Sequence, residues 1–454
     1  MRILHLLLSA VLLSFAAGSA TAQKPQWKVG LASVKITPEA PVRLAGYGGR
    51  TKPSTGVALD LYAKALAIED ENGRRAVLVT TDLIGFRAAL AEAVCGDISR
   101  KTGLQRKQIV LNSSHTHTGP TLGLDSGSLG FPPEQAKATV AYTRRLQRQL
   151  VELVAASLKA LAPARLSHGV GVATFVMNRR EFTDRGVILG VNPRGLADRG
   201  VPVLRIDSPD GRLRCVLFGA ACHNTTLTGK HLEISGDFAG YAQQHLERTH
   251  RGAQAMFLQG CAGDANPFPR GSEAIARIHG LALGTEVDRV LKTKLRPVRG
   301  GLKVALADVR LPLQPPPSQA QLEKMTRGGS WQRFVARRML ELSRDGKKPP
   351  TEYATKIAVW QFGGDLTLVA LPGEVVVDYV KLLEQSLGPQ RLWVAAYCND
   401  VFGYLPSSRV LQEGGYETRG LYAGGIGFFS PRSQDVVVKT VKQLAEQVGR
   451  PAKK

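Results

Sequence analysis

Residues 109–120 constrain the fold more than any other stretch of this chain. They read Ile-Val-Leu-Asn-Ser-Ser-His-Thr-His-Thr-Gly-Pro. An apolar, β-branched run that passes into polar residues and then Gly-Pro predicts a buried strand opening into a loop, where α/β sheets carry site residues. Residues two apart in an extended chain point the same way, so His115 and His117 have the spacing of metal ligands. The alternative is a pair of solvated loop histidines, and this stretch alone leaves both interpretations open.

The first residues have the pattern of a cleavable secretory signal. A basic residue precedes an apolar run and an Ala-x-Ala ending, and the run is shorter than the about 20 apolar residues of a membrane span. We therefore expect residues 1–22 to be removed between Ala22 and Gln23, leaving residues 23–454 as a secreted or periplasmic protein. Such a compartment permits disulfides, but with five cysteines at least one thiol stays unpaired within a monomer.

The chain is strongly basic, with a formal net charge of +23. A surface of this kind favours association with anionic polymers, lipid headgroups or a charged wall. The basic residues are scattered rather than interleaved with aromatic ones, and no nucleic-acid-binding motif is present, so we predict no nucleic-acid partner. Peripheral association with an anionic membrane or wall remains open.

Apolar strands and one long helical pattern fill the rest of the chain. The predicted elements are hairpins around 70–73 and 208–211, an amphipathic helix over 134–162, one strand over 165–180, a Gly/Pro-rich loop over 186–200 and a basic surface insertion over 314–350. Apolar strands resume after the insertion. We therefore predict an α/β fold, in a single compact domain with mixed β-sheets flanked by helices.

Further residues with metal-ligand or catalytic chemistry stand where apolar strands end. His223 follows one such strand, Glu374 ends another, and Tyr404 lies just beyond a third. Site residues of α/β sheets collect at the carboxyl ends of strands. We expect these three side chains to lie near His115, at the same end of the mixed sheet, with His115 close to Glu374.

Short motifs follow one another in order across residues 29–431. They are Ile36-Thr37-Pro38, Gly46-Tyr47-Gly48, the stretch from Asn112 to Pro120, Asn178-Arg179, Ser235-Gly236-Asp237, Gly240-Tyr241, Pro372-Gly373-Glu374, Gly403-Tyr404 and Tyr416-Glu417. Together they resemble the N-terminal catalytic domain of the neutral non-lysosomal ceramidases. The resemblance implies a neutral-ceramidase-like fold.

The resemblance also implies a single zinc ion per chain. Its ligands would be His115, His223, Glu374 and Tyr404, although His223 lies in Cys-His-Asn-Thr-Thr rather than in the family's His-Pro context. Such a donor set suits Zn²⁺, which lowers the pKa of a bound water to about 7. His117 would support the metal ligands or face the substrate. Arg179 and Tyr416 would stabilise the oxyanion, and Asp264 would orient or deprotonate water.

Asn266 marks a departure from the family. The family's Gly-Asp-x-Ser-Pro loop, which carries the nucleophilic serine, reads Gly-Asp-Ala-Asn-Pro over residues 263–267 here. An amide cannot be activated as an alkoxide, so we expect zinc-bound water to replace the serine, with Asn266 positioning the water or donating to an oxyanion. The chain is also too short after Pro431 for the family's C-terminal immunoglobulin-like domain, which we expect it to lack.

These expectations combine into a secreted zinc-dependent hydrolase of amide (N-acyl) bonds, acting on an N-acyl lipid or another amide. The alternative is a catalytically degenerate, metal-stabilised binding protein associated with an anionic envelope or lipid surface. Turnover separates the two hypotheses and metal content does not. The substrate, the disulfide pairing and the oligomeric state remain open at this stage.

Overall fold

The structure, a computed structural model, describes residues 27–421 and 427–451, without the side chains at positions 330 and 331. The predicted signal, residues 1–22, lies outside the described residues. The strands are β1 Trp27–Lys35, β2 Gly56–Val57, β3 Tyr62–Asp70, β4 Arg75–Thr81, β5 Ile109–Ser113, β6 Ala162–Val172, β7 Val176–Thr183, β8 Gly186–Asn192, β9 Gly200–Asp207, β10 Leu213–Ala220, β11 Glu233–Ile234, β12 Gln254–Gln259, β13 Ala265–Pro267, β14 Arg296–Val298, β15 Leu302–Pro312, β16 Glu352–Phe362, β17 Leu366–Ala370, β18 Glu374–Val375, β19 Leu392–Ala395 and β20 Tyr404–Leu405. The helices are α1 Ala88–Thr102, α2 Pro133–Lys159, α3 Asp237–Thr249, α4 Glu273–Leu291, α5 Gln319–Met325, α6 Ser330–Arg344, α7 Asp378–Leu387, α8 Ser408–Glu413 and α9 Arg432–Gln447, with short 3₁₀ helices at Arg106–Gln108 and Tyr416–Thr418.

Two large sheets pack face to face at the centre of the fold. The larger runs β12-β10-β9-β6-β1-β3-β4-β5, with β14 beside β6, and the smaller runs β15-β16-β17-β19. Both contribute to the apolar layer between them, which contains the buried rings of Trp27, Trp360 and Trp393. Helices α1 to α4 cover the outer face of the larger sheet, and α7 and α9 cover that of the smaller one. The predicted α/β fold with mixed sheets flanked by helices is confirmed.

Side-chain alternation lets one strand serve two layers. In β10, Cys215 and Leu217 face the layer between the sheets, whereas Val216 and Phe218 face α3 and α4. Successive side chains of a strand point to opposite faces, so a strand covered on both sides reads as a continuous apolar run. Complete burial of a side chain such as Leu217 or Phe218 stabilises the fold by about 1.5–3 kcal/mol.

Several local predictions are confirmed. The hairpins are β3–β4 and β9–β10, both antiparallel, and α2 accounts for the amphipathic helix, burying apolar residues such as Leu146, Leu150 and Val154. The region 314–350 contains α5 and α6, which connect the paired strands β15 and β16. All five cysteines are buried free thiols.

Two predictions between residues 165 and 200 are wrong. The single strand over 165–180 is two strands, because β6 stays in the large sheet while β7 leaves it to join a separate sheet of order β13-β7-β8. The loop over 186–200 contains β8, whose apolar residues pair with β7. Flanking Gly and Pro residues hide this strand in the sequence, and only its partner reveals it.

One buried amide ties strand ends of the two large sheets together. Asn112, at the end of β5, donates from Nδ2 to the Ala396 carbonyl at 2.7 Å and accepts from the Gln259 backbone N–H at 3.0 Å. These partners follow β19 and end β12. Buried polar groups are costly unless paired, so this contact fixes where the strands stop.

Among the described residues, no helix has the length and apolar character needed to cross a bilayer.

Candidate functional site

Three buried side chains meet where strands of both large sheets end. His115 follows β5, His223 follows β10, and Glu374 begins β18 just after β17. Glu374 Oε2 lies 3.2 Å from His115 Nε2 and 3.1 Å from His223 Nε2. The predicted proximity of His115 and Glu374 is confirmed.

The hydrogen bonds of the two imidazoles fix which nitrogen faces the carboxylate. Nδ1 of His115 lies 2.6 Å from the Ile84 carbonyl, and Nδ1 of His223 lies 2.6 Å from the Ala262 carbonyl. A carbonyl only accepts, so each Nδ1 carries the proton and each Nε2 presents a lone pair. Burial lowers the pKa of His223 to about 3. The Glu374 carboxylate is buried as well, and when ionised its oxygens only accept. Three acceptors therefore converge, which is the arrangement that a cation completes.

His117 joins this cluster from the cavity side. One ring nitrogen from each of His115, His117 and His223 lies within 4.8 Å of the others, close enough for the three to hold a metal ion. Both ring nitrogens of His117 are buried without a hydrogen-bond partner among the described residues. Gly46 (φ 90°) packs on this ring so closely that a Cβ there would lie 2.3 Å from His117 Cγ. Buried polar atoms rarely lack partners, so these nitrogens are placed for a ligand.

The backbone at His115 and His117 is not the extended chain that their spacing predicts. β5 ends at Ser113, and His115 adopts a left-handed conformation with φ 64°. The rings of His115 and His117 consequently meet edge to face, 4.8 Å apart, rather than side by side on one strand face. Non-glycine residues in this region cost about 1–3 kcal/mol and concentrate at functional sites.

A cavity of about 410 Å³ lies in front of the histidine cluster. Its wall includes five of the predicted site residues, His117, Arg179, Asn266, Tyr404 and Tyr416. His115, His223 and Glu374 lie behind this wall. The fold therefore brings the predicted polar residues to one place, with the exception of Asp264.

Arg179 organises the polar side of the cavity. Its guanidinium donates to the Tyr404 hydroxyl at 2.9 Å, to Glu417 at 3.0 Å and to Asn266 Oδ1 at 3.3 Å. Burial opposes its charge, but Tyr404 and Glu417 raise the pKa of Arg179 well above its ordinary value. Tyr404 in turn pairs with Glu374 across β18 and β20. Arg179 is thus a fixed cation beside the carboxylate and histidine cluster.

Asn266 has only one end of its amide engaged. Its Oδ1 accepts from Arg179 and, at 3.1 Å, from the Thr225 hydroxyl. Among the described residues no partner meets Nδ2, and Asn266 lines the cavity. The amide N–H group is therefore available to a bound ligand, and Thr225 is a cavity residue that the sequence did not single out.

Asp264 is not presented to the cavity. Its carboxylate is buried and accepts from the Val377 backbone N–H at 2.8 Å and from Asn178 Nδ2 at 3.4 Å. Burial raises the pKa of this carboxyl to about 7. These contacts join the loop after β12 to β7 and to the start of α7, and the geometry favours a structural role over the predicted contact with water.

Besides Thr225, two further residues of the site, Tyr397 and Glu417, were not among the predicted site residues. The Tyr397 ring lies 4.6 Å from that of His115, and its buried hydroxyl has no partner among the described residues. Glu417 bridges Arg179 and Arg180, accepting from Arg180 at 2.7 Å. The Tyr416-Glu417 motif could have indicated Glu417, whereas nothing in the sequence around Tyr397 sets it apart from a core tyrosine.

Comparison with known proteins gives a consistent result. Residues 27–277 match the family described as neutral/alkaline non-lysosomal ceramidase, N-terminal. The neutral ceramidase of Pseudomonas aeruginosa is 26% identical over 280 residues, covering 58% of this chain and 40% of that protein. Neutral ceramidase B of Dictyostelium discoideum is 26% identical over 271 residues, covering 54% of this chain and 36% of that protein. The matched segment thus spans less than half the length of these curated relatives.

Solved structures extend the likeness across almost the whole chain. A ceramidase complexed with C2 matches with a TM-score of 0.71 and 22% identity, covering 95% of this chain and 76% of that one. Neutral ceramidase from Pseudomonas aeruginosa matches with a TM-score of 0.70 and 23% identity, covering 94% and 76%. The two structures share the fold described above.

The buried Glu417 carboxylate should be a major contributor to stability. Glu417→Gln removes the negative charge that Arg179 and Arg180 share, and both guanidinium groups stay buried. We therefore expect the free energy of unfolding to fall by about 3 kcal/mol. Urea unfolding measures this change. The matched control is Glu71→Gln at an exposed position, which should change the value by less than about 0.5 kcal/mol. Equal effects of the two substitutions would contradict the assigned role of Glu417.

Proposed function

This chain belongs to the neutral/alkaline non-lysosomal ceramidase family, and we propose that it is an exported, zinc-dependent hydrolase of N-acyl amide bonds in lipids. The observation that carries the proposal is the convergence of His115 and His223 on Glu374, directly behind a cavity whose wall includes His117, Arg179 and Asn266. Such a donor set beside a cavity is typical of hydrolytic metal centres. The names of the curated relatives support an amide lipid as the substrate class.

One zinc ion fits the donor set of His115, His223 and Glu374, with Tyr404 as the fourth ligand that the resemblance implies. Nitrogen and carboxylate oxygen donors suit zinc, and both imidazoles already present lone pairs. When bound, zinc acts as a Lewis acid and lowers the pKa of water. This chain's own residues supply the remaining functions.

Residues in the wall of the cavity bind the substrate and stabilise the negative charge that develops on it. Arg179 and the free N–H group of Asn266 can both donate to a carbonyl oxygen that becomes negative during attack on an amide. Tyr416 lies beside them, its ring 5.4 Å from that of Tyr404. Because these groups are fixed by buried contacts, they need little reorganisation when charge develops.

Proton transfer falls to His117. It lines the cavity, and its ring nitrogens have no competing partner among the described residues. Burial, reinforced by His115 and His223, keeps the pKa of His117 well below its ordinary value. A neutral imidazole in this position can accept a proton from the attacking group and return it to the leaving amine.

The second candidate function is a binding protein without turnover. Asn266, standing where the family carries its serine, favours this candidate. It predicts the same metal content as the hydrolase and no hydrolysis.

Turnover is the primary test. The purified protein is assayed against a panel of N-acyl amides and matched esters, and we expect it to hydrolyse amides. Addition of a zinc chelator should reduce the rate of hydrolysis at least about tenfold. Readdition of zinc should restore the rate. Absence of hydrolysis on every substrate, with zinc bound in stoichiometric amount, would favour the binding protein.

Metal content distinguishes the two histidines of the HxH motif. We expect His115→Ala to lose most of the bound zinc, because His115 Nε2 faces Glu374. His117→Ala should keep the zinc and lose turnover, since His117 lies on the cavity side. Elemental analysis of the two variants gives the answer, and zinc loss in His117→Ala equal to that in His115→Ala would make His117 a ligand.

Substitutions of Asn266 test whether this residue positions the reacting groups or stands in place of a nucleophile that catalysis requires. Asn266→Ala should keep measurable turnover, because losing one hydrogen-bond donor costs about 2.7–4 kcal/mol in the transition state. Asn266→Ser serves as the comparison variant. A wild type that is silent on every amide, with activity appearing only in Asn266→Ser, would mean that the chain has lost the family's catalysis.

A further inference from the structure

Exposed apolar side chains concentrate on one hairpin. Phe182, Ile188, Leu189, Val191 and Leu196 are 58%, 45%, 48%, 40% and 39% exposed, and all belong to β7, β8 or the segment that follows them. Single exposed apolar residues are ordinary, whereas a group of them marks an interaction surface. We name residues 182–196 the apolar hairpin.

The apolar hairpin forms part of the cavity mouth. Leu189 and Val191 line the 410 Å³ cavity, as does Phe268, which is 46% exposed and follows β13 in the same small sheet. Val187, Ile188 and Leu189 also line a second groove of about 800 Å³. The exposed apolar surface is therefore continuous with the route to His117 and Arg179.

Cations flank this apolar surface. Arg185 lies in the turn before β8 and Arg194 follows β8, both exposed. Neither guanidinium has an ion-pair partner among the described residues. The whole chain carries a net charge of +23. An apolar strip between unpaired cations is complementary to a membrane interface with anionic headgroups.

A second copy of the chain fits this surface less well. β8 is an edge strand, so a second copy would have to pair with it along this hairpin. Such pairing would bring Arg185 and Arg194 toward a second molecule of the same charge. This repulsion favours an anionic lipid surface as the partner.

We propose that the apolar hairpin docks on an anionic lipid bilayer, with Phe182 and Ile188, which lie on opposite faces of the hairpin, both entering the interface and the cavity mouth opening toward the lipid. The proposal rests on the proposed function, since it explains how a lipid amide would reach the site. Docking itself needs no turnover, so the two can be tested apart.

The test uses vesicles that contain no N-acyl amide. Co-sedimentation with equimolar phosphatidylglycerol and phosphatidylcholine measures binding of the wild type, and pure phosphatidylcholine isolates the contribution of charge. We expect Phe182→Ser/Ile188→Ser to weaken binding at least about tenfold, because two apolar side chains no longer leave water. The matched control is Ile278→Ser/Leu281→Ser on α4, whose side chains are 62% and 52% exposed and whose helix lines neither cavity. This control should bind like the wild type.

A third variant tests the charge. Arg185→Gln/Arg194→Gln should weaken binding to anionic vesicles and reduce its dependence on salt. Thermal unfolding midpoints verify that every variant is folded. Equal losses in the hairpin and α4 variants, no binding to anionic vesicles, or a dimer that only the hairpin variant abolishes would each overturn the proposal.

A soluble short-chain amide separates this outcome from the proposed function. The Phe182→Ser/Ile188→Ser variant should hydrolyse it at the wild-type rate, because neither residue lines the 410 Å³ cavity. Vesicle binding without any turnover would remove the hydrolase and leave the docking surface in place.

Discussion

Two imidazole nitrogens facing one buried carboxylate oxygen set the conditions for the whole centre. His115 and His223 each donate a hydrogen bond from Nδ1–H to a backbone carbonyl, so the Nε2 atom that faces Glu374 carries no proton to donate. Two acceptor nitrogens that each lie within 3.2 Å of the same buried carboxylate oxygen are tolerated only when a cation lies among them. The strands that carry these residues come from different sheets, and their ends must therefore be held in fixed register.

Charge around the centre is balanced by a second buried group. Arg179 and Arg180 are both buried and share Glu417, so the site carries fixed cations without exposing them to water. Breaking such a pair costs more than forming it gains, because the remaining charge stays buried. This arrangement keeps the Arg179 guanidinium rigid beside Tyr404 and Asn266, where an oxyanion donor is useful.

One small sheet links the chemistry to the surface. Asn266 lies on β13, Arg179 on β7, and the exposed Leu189 and Val191 on β8. The same three strands thus provide the polar wall of the cavity and its apolar mouth. If the mouth docks on a bilayer, a lipid could enter the cavity without first crossing water.

Local patterns determined the parts that depend on neighbours in sequence. Apolar runs ending at His115, His223 and Glu374 predicted buried strands and a shared edge, because a strand covered on both faces must be apolar throughout. Only the tertiary structure decided which groups face one another: that β7 leaves the large sheet, that Asp264 is turned to Val377, and that Tyr397 reaches His115. These contacts join residues far apart in the chain, and their distances follow from how the sheets stack, which no local pattern encodes.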